Sequence, residues 1–161
     1  MTIAAGEKMP SGALGIMTEA GPGAISTDEL FSGKKVVLVS VPGAFTPTCS
    51  MNHLPGYVDQ VENLKAKNVD TIACMAVNDV FVMDAWGKDR GVGDNVMMLA
   101  DGNGEYAAAL GLELDASGFG MGTRGQRFAI VVDDGVATHV AVEAPGQFEV
   151  SKAEAILEAL G

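Results

Sequence analysis

Two apolar runs without alternation, Lys35 to Val41 and Thr71 to Val77, constrain this chain more than any other feature. A strand with one wet face alternates apolar and polar residues. A strand covered on both faces does not, so these runs read as central strands of a sheet sandwiched between helices. Between them Leu54, Tyr57, Val58, Val61, Leu64 and Ala66 recur at three- and four-residue intervals. That spacing predicts a helix to about Lys67, kinked at Pro55. Strand, helix, strand in this order makes a parallel crossover.

The pattern continues along the chain. Asn78-Asp79 offers a cap for a helix from Val80 to about Arg90, Val96 to Ala100 reads as a third strand, and Glu105 to Leu110 as a short helix. Residues 115–125 are glycine-rich and irregular. Phe128 to Val132 and Val136 to Val142 are two β runs joined by Asp133-Asp134-Gly135, a hairpin signal. Ser151-Lys152-Ala153-Glu154 has the spacing of a capping box for a last helix. Ahead of the central strands, Gly21-Pro22-Gly23 is expected to connect two short extended pieces, and Ser26 or Thr27 to cap a turn through Phe31. The expected class is α/β: a mixed central sheet flanked by helices, with extra N-terminal β elements, in an arrangement that resembles the thioredoxin-like fold. With 161 residues the chain can bury a core without disulfide staples, and one domain over 1–161 is expected.

Composition removes several function classes. A formal net charge of −11 would repel phosphates, so no nucleic-acid partner is expected. No apolar run approaches the length of a bilayer span, so no membrane partner is expected either. Met1 to Lys8 lacks a basic, then apolar leader, and two cysteines are too few for a secreted framework, so a reducing cytoplasm is the expected compartment. Asp101-Gly102-Asn103-Gly104-Glu105 starts like a calcium loop but has Tyr106 where the glycine belongs and Leu112 where the bidentate glutamate belongs. Gly118 to Gly122 follows a helix rather than a strand, which argues against a dinucleotide fingerprint. No metal site is expected from two cysteines and two scattered histidines.

Chemistry concentrates where the first central run ends, in Pro42-Gly43-Ala44-Phe45-Thr46-Pro47-Thr48-Cys49. The first turn of the following helix has N–H groups without intrahelical partners and the positive end of the macrodipole. A thiolate gains more from that place than a thiol does, so Cys49 reads as a nucleophile. Thr46, three residues earlier, can bring its hydroxyl near the sulfur. Pro42 and Pro47 limit the loop, and Pro47 suits a first-turn position that needs no N–H. Threonine at 46 takes the place of the second sulfur of a CxxC pair. Cys74, in Thr71 to Val77, reads as a small buried core residue.

Pro42, Thr46 and Cys49 match the Pro-x-x-x-Thr-x-x-Cys motif of the peroxiredoxins. His53-Leu54-Pro55-Gly56, Val77 to Val82, Trp86-Gly87 and Gln126-Arg127-Phe128 also fit, so nearly the whole chain resembles the peroxiredoxin 5, or type II, subfamily. The resemblance implies a thiol-dependent peroxidase for hydrogen peroxide and small alkyl hydroperoxides, with no bound cofactor. Cys49 would attack the peroxide and become a sulfenic acid. Thr46 and the Cys49 N–H would hold the peroxide, Arg127 would stabilise the thiolate and the leaving oxygen, and Pro42 would shield the site. Residues 143–161 hold no cysteine, so a one-cysteine cycle is expected, with glutathione and glutaredoxin, or thioredoxin, as reductant. Cys74 is kept as a secondary thiol. A homodimer through loops 44–48 and 78–82 is implied by the subfamily. His53, four residues after Cys49, could be mistaken for a protease-like general base, a role the flanking motif does not suit. Arg124 reads as a loop charge or secondary support. A thioredoxin-type oxidoreductase and a non-catalytic redox sensor are the alternative readings.

Overall fold

The computed structural model describes residues 1–161. Near its start β1 (Ala13–Thr18) and β2 (Gly21–Ser26) form an antiparallel hairpin with Thr18 opposite Gly21, so Glu19-Ala20 makes the turn. Gly21-Pro22-Gly23, expected as the connection, lies inside β2. That strand is the sheet's edge, where a proline is tolerated. Ser26 then caps α1 (Thr27–Phe31): its Oγ accepts the Glu29 N–H at 3.1 Å, and the Glu29 carboxylate accepts the Ser26 N–H in return.

The two unalternating runs become β3 (Lys35–Ser40) and β4 (Thr71–Ala76), parallel to one another with Val39 opposite Cys74. The helix between them is not continuous. It contains a π turn over Cys49–His53, runs on as α2 (Leu54–Asp59), breaks at Gln60 with φ −99° and ψ 10°, and resumes as α3 (Val61–Ala66). The irregularity expected at Pro55 thus falls just upstream, where Leu54 N–H reaches back five residues to the Cys49 carbonyl. Pro55 has no N–H to continue the ladder, so the extra residue is accommodated where the helix is already weakened.

Asp79 caps α4 (Val80–Asp89), its carboxylate accepting the Val82 N–H at 2.8 Å. β5 (Met97–Ala100) adds to β4 in parallel, and α5 (Glu105–Leu110) follows. The glycine-rich stretch is more regular than expected: β6 (Glu113–Asp115) and β7 (Thr123–Gly125) pair as a small antiparallel ribbon around a 3-10 turn at Ser117–Phe119. β8 (Phe128–Asp133) and β9 (Val136–Val142) form the expected hairpin. Asp134 at φ 48° and Gly135 at φ 81° give the two positive dihedrals that a tight hairpin turn needs. α6 (Ala153–Leu160) closes the chain. Its cap differs from expectation: the N-cap is Lys152, whose ammonium cannot accept a backbone N–H, and the hydroxyl of Ser151, one residue earlier, is given to Glu143.

The main sheet runs β2-β1-β5-β4-β3-β8-β9, with parallel pairing at its centre and antiparallel pairing on both sides. Successive residues of the central strands enter opposite cores. Val37, Val39, Ile72 and Cys74 pack with Leu54, Tyr57, Leu64, Trp86 and Ile156 on one face; Val36, Leu38, Ala73 and Met75 pack with Leu30, Phe31, Tyr106 and Leu110 on the other. This two-sided burial is why the runs do not alternate, and it is the thioredoxin-like arrangement expected from the sequence. Cys49 belongs to the first of these cores, at the C-terminal end of β3.

Candidate active site

The chain leaves β3 at Val41 and turns sharply before the helix. Phe45 takes φ 65°, a left-handed conformation that is costly for a bulky side chain and is held here by its surroundings. Two anchors hold it: the Ala44 N–H donates to Asn78 Oδ1 at 2.9 Å, and the Phe45 ring lies 6.4 Å from that of Trp86. Gly43 is tight as well, since a Cβ there would stand 3.2 Å from Thr46 Cγ2 and 3.3 Å from Arg124 Nη1. Ser50 N–H makes the first helical bond, to the Thr46 carbonyl at 2.9 Å. Thr46 is therefore the N-cap, Pro47 the first helical residue, and Cys49 the third, with its N–H among the donors that a first turn leaves free. The place read from the sequence for Cys49 is the place it occupies.

The sulfur is fully buried, and the Arg127 guanidinium reaches it from the start of β8: Nη2 lies 3.0 Å from Sγ. The second terminal nitrogen, Nη1, lies 2.9 Å from Nδ1 of His53. His53 Nε2 in turn lies 3.1 Å from the Ser151 carbonyl, which also accepts the Tyr57 hydroxyl at 2.6 Å. A carbonyl only accepts and a guanidinium only donates, so the imidazole carries its proton on Nε2 and offers Nδ1 bare to Arg127. Burial, with the Arg127 charge adding to it, pushes the His53 pKa down from 6.5 to about 3, so the ring is neutral at physiological pH. The Phe148 ring covers this group, edge-on to His53 at 5.0 Å and 5.9 Å from the Arg127 guanidinium carbon.

The helix that carries Cys49 is clamped from its other side. Trp86 Nε1 donates to Ser50 Oγ at 2.8 Å, and Arg90 Nη1 donates to the Ser50 carbonyl at 3.1 Å. Thr46 donates its hydroxyl proton to the Gly43 carbonyl at 2.7 Å, which leaves the oxygen free as an acceptor. Pro42 is half-buried at the end of β3. Arg124 ties the glycine-rich ribbon to β4's outgoing loop, giving Nε to the Met121 carbonyl at 2.9 Å and Nη1 to the Val77 carbonyl at 3.3 Å. Cys74 lies in β4 within the same core as Cys49, and burial first, then the Cys49 charge, push its thiol's pKa up. Such a thiol is a poor nucleophile.

A profile of the redoxin family matches residues 4–157. The chain belongs to the redoxin family. Within it the chain is 49% identical over 159 residues to Peroxiredoxin-2B of Arabidopsis thaliana, covering 98% of each. Among solved structures, reduced Prx3 of Vibrio vulnificus in complex with hydrogen peroxide superposes with a TM-score of 0.96 at 52% identity, over 99% of this chain and 100% of that one. Peroxiredoxin 5 from Alvinella pompejana superposes with a TM-score of 0.87 at 35% identity, over 98% and 97%. The resemblance read from Pro42, Thr46 and Cys49 holds: this is a type II peroxiredoxin sequence, and thiol peroxidase activity goes with it.

Sequence reading brought Cys49, Thr46 and Arg127 forward, and the structure places Arg127 on the sulfur. It missed the contact between His53 Nδ1 and Arg127 Nη1, and it missed Ser151, Tyr57, Phe148 and Glu143 around that pair. His53 had a local signal, four residues after Cys49 on the same helix. The others had none.

Proposed function

We propose that the protein is a one-cysteine thiol peroxidase for hydrogen peroxide and small alkyl hydroperoxides, with Cys49 as nucleophile, Arg127 and Thr46 as its partners on the peroxide, and Pro42 shielding the site. The observation that carries this reading is the 3.0 Å contact between Arg127 Nη2 and Cys49 Sγ in a buried first helical turn. The Cys49 thiolate attacks the terminal peroxide oxygen, the O–O bond breaks, and the leaving oxygen takes up a proton as water or alcohol. Cys49 is left as a sulfenic acid. Negative charge moves from sulfur to the leaving oxygen, and a fixed cation beside both lowers the barrier. The arginine suits this because it remains charged and presents several donors. Thr46, with its proton given to Gly43, accepts the peroxide hydroxyl.

The reductive half uses an outside thiol. One thiol attacks the sulfenic acid and releases water; a second displaces the mixed disulfide and restores Cys49. Glutathione with glutaredoxin is the proposed donor, thioredoxin the alternative, and a reducing cytoplasm the proposed compartment. The raised pKa of buried Cys74 supports a cycle without an internal resolver. A homodimer through loops 44–48 and 78–82 is proposed. The Ala44–Asn78 bond joins these loops into one surface, on which Phe45 and Phe81 are 51% and 64% exposed. Stopped-flow oxidation of reduced protein by hydrogen peroxide tests the reading: a second-order rate orders of magnitude above that of a free thiolate is expected, and an ordinary thiolate rate overturns it.

A further inference from the structure

We propose that Glu143 is a positioning residue for Arg127: its carboxylate clasps Ser151, and the Ser151 carbonyl sets the imidazole of His53, which aims the guanidinium at Cys49. The inference deepens the peroxidase reading and rests on it.

Glu143 follows the last residue of β9, and its backbone N–H donates to the Arg127 carbonyl at 3.0 Å, so the two residues face one another across the hairpin. From there the chain loops out through Pro145 and Gly146 and returns to the start of α6. The Glu143 side chain closes that loop onto its own beginning. One buried carboxylate oxygen, Oε2, accepts the Glu149 N–H at 2.8 Å, the Ser151 N–H at 2.8 Å and the Ser151 hydroxyl at 2.6 Å. Burial raises the carboxyl, but these donors outweigh it and hold Glu143 below the usual carboxylate range.

With its N–H and hydroxyl both given to Glu143, Ser151 has its carbonyl directed at His53 Nε2 and Tyr57 Oη. Both groups donate to it, and that fixes the imidazole proton on Nε2. Nδ1 is then the acceptor for Arg127 Nη1, and the other guanidinium nitrogen meets the sulfur. Phe148, carried by the same loop, packs on both His53 and Arg127. Ser151 has the sequence position to cap α6 with Glu154 as partner, yet α6 has no side-chain cap. The hydroxyl is engaged by the clasp instead. A residue that merely tidied the loop would have no bearing on which imidazole nitrogen is protonated.

The test combines stopped-flow oxidation of Cys49 by hydrogen peroxide with nitrogen NMR of the His53 ring in the full chain. Wild type is expected to show a bare Nδ1 and a protonated Nε2. In Glu143→Ala the oxidation rate is expected to fall about tenfold or more, as it does when a reacting group is displaced by a fraction of an ångström to an ångström. The same variant is expected to lose the single imidazole tautomer. Glu143→Gln keeps an acceptor oxygen of the same shape and is expected to recover most of the rate and the tautomer. Ser151→Ala removes only the hydroxyl's bond to Glu143 and is expected to show a partial loss in both readouts; it decides the matter if Glu143→Ala does not fold. A folded Glu143→Ala, or in its place Ser151→Ala, with wild-type rate or wild-type tautomer overturns the proposal. A slow wild-type rate would instead count against the peroxidase reading, while the NMR comparison still reports on the clasp.

Discussion

Nδ1 of His53 accepts a hydrogen bond from Arg127 Nη1 at 2.9 Å. A protonated imidazole would turn a donor toward a donor and a cation toward a cation, at a buried position. The ring therefore resists protonation, with its pKa at about 3 against an ordinary 6.5. Between those values the unfolded chain binds a proton that the folded chain refuses, so the folded state loses stability as pH falls below about 6.5. Glu143 acts in the same direction: its lowered pKa contributes stability above the unfolded value that is lost as pH falls through the folded one. Urea midpoints measured from pH 7.5 downward should drop steadily through this window. His53→Asn should flatten the upper part of that slope, and an unchanged slope would contradict the neutral imidazole.

Arg127 contributes two donors held at a fixed angle, one to sulfur and one to imidazole. Arg127→Ala should slow the oxidation of Cys49 by about 10² or more, the scale expected for losing a preorganised donor at developing charge. Arg127→Lys should be nearly as slow, because an ammonium is a single point and does not span both partners. Stopped-flow rates with circular dichroism as a fold control would check both. Wild-type reactivity in a folded Arg127→Ala would remove the arginine from the mechanism.

Cys49→Ser should abolish turnover. Cys74→Ser should keep its activity with glutathione and glutaredoxin, at a stability loss of about 1–3 kcal/mol for burying a hydroxyl among apolar neighbours. Mass spectrometry after one equivalent of peroxide separates the two cycles. A sulfenate or a glutathione adduct on Cys49 is expected, whereas a bridge between Cys49 and Cys74 would make Cys74 a resolver.

Trp86 holds the π turn through its bond to Ser50 Oγ. Trp86→Phe keeps most of the apolar volume but leaves that hydroxyl without its donor, which should destabilise the protein by about 1–2 kcal/mol. Chemical denaturation measures this directly.

How much of this was readable in advance depends on how far apart the interacting residues lie. β3 and β4 were legible because burial on two faces leaves a continuous apolar run, and the turn at Asp134-Gly135 because its dihedrals suit few residues. Cys49 in the first helical turn was legible because Thr46, Pro47 and Cys49 act within one stretch of backbone. By contrast, Ser151-Lys152-Ala153-Glu154 looked like a cap, and a remote carboxylate took the serine hydroxyl. Gly21-Pro22-Gly23 looked like a turn, and its place at a sheet edge let it be a strand. The pairing of β6 with β7 was hidden in a glycine-rich stretch without a periodic signal.

Local order decided the strands, most of the helices and the position of the sulfur, since each follows from residues a few places apart. Only the folded chain decided how the sulfur is served. Arg127 stands 78 residues from Cys49, 74 from His53, and Ser151 98 from His53, so no local pattern could say which donor meets which acceptor. Hydrogen bonds are chosen by distance in space and by the lack of competing water, and both are set by packing of the sheet against its helices.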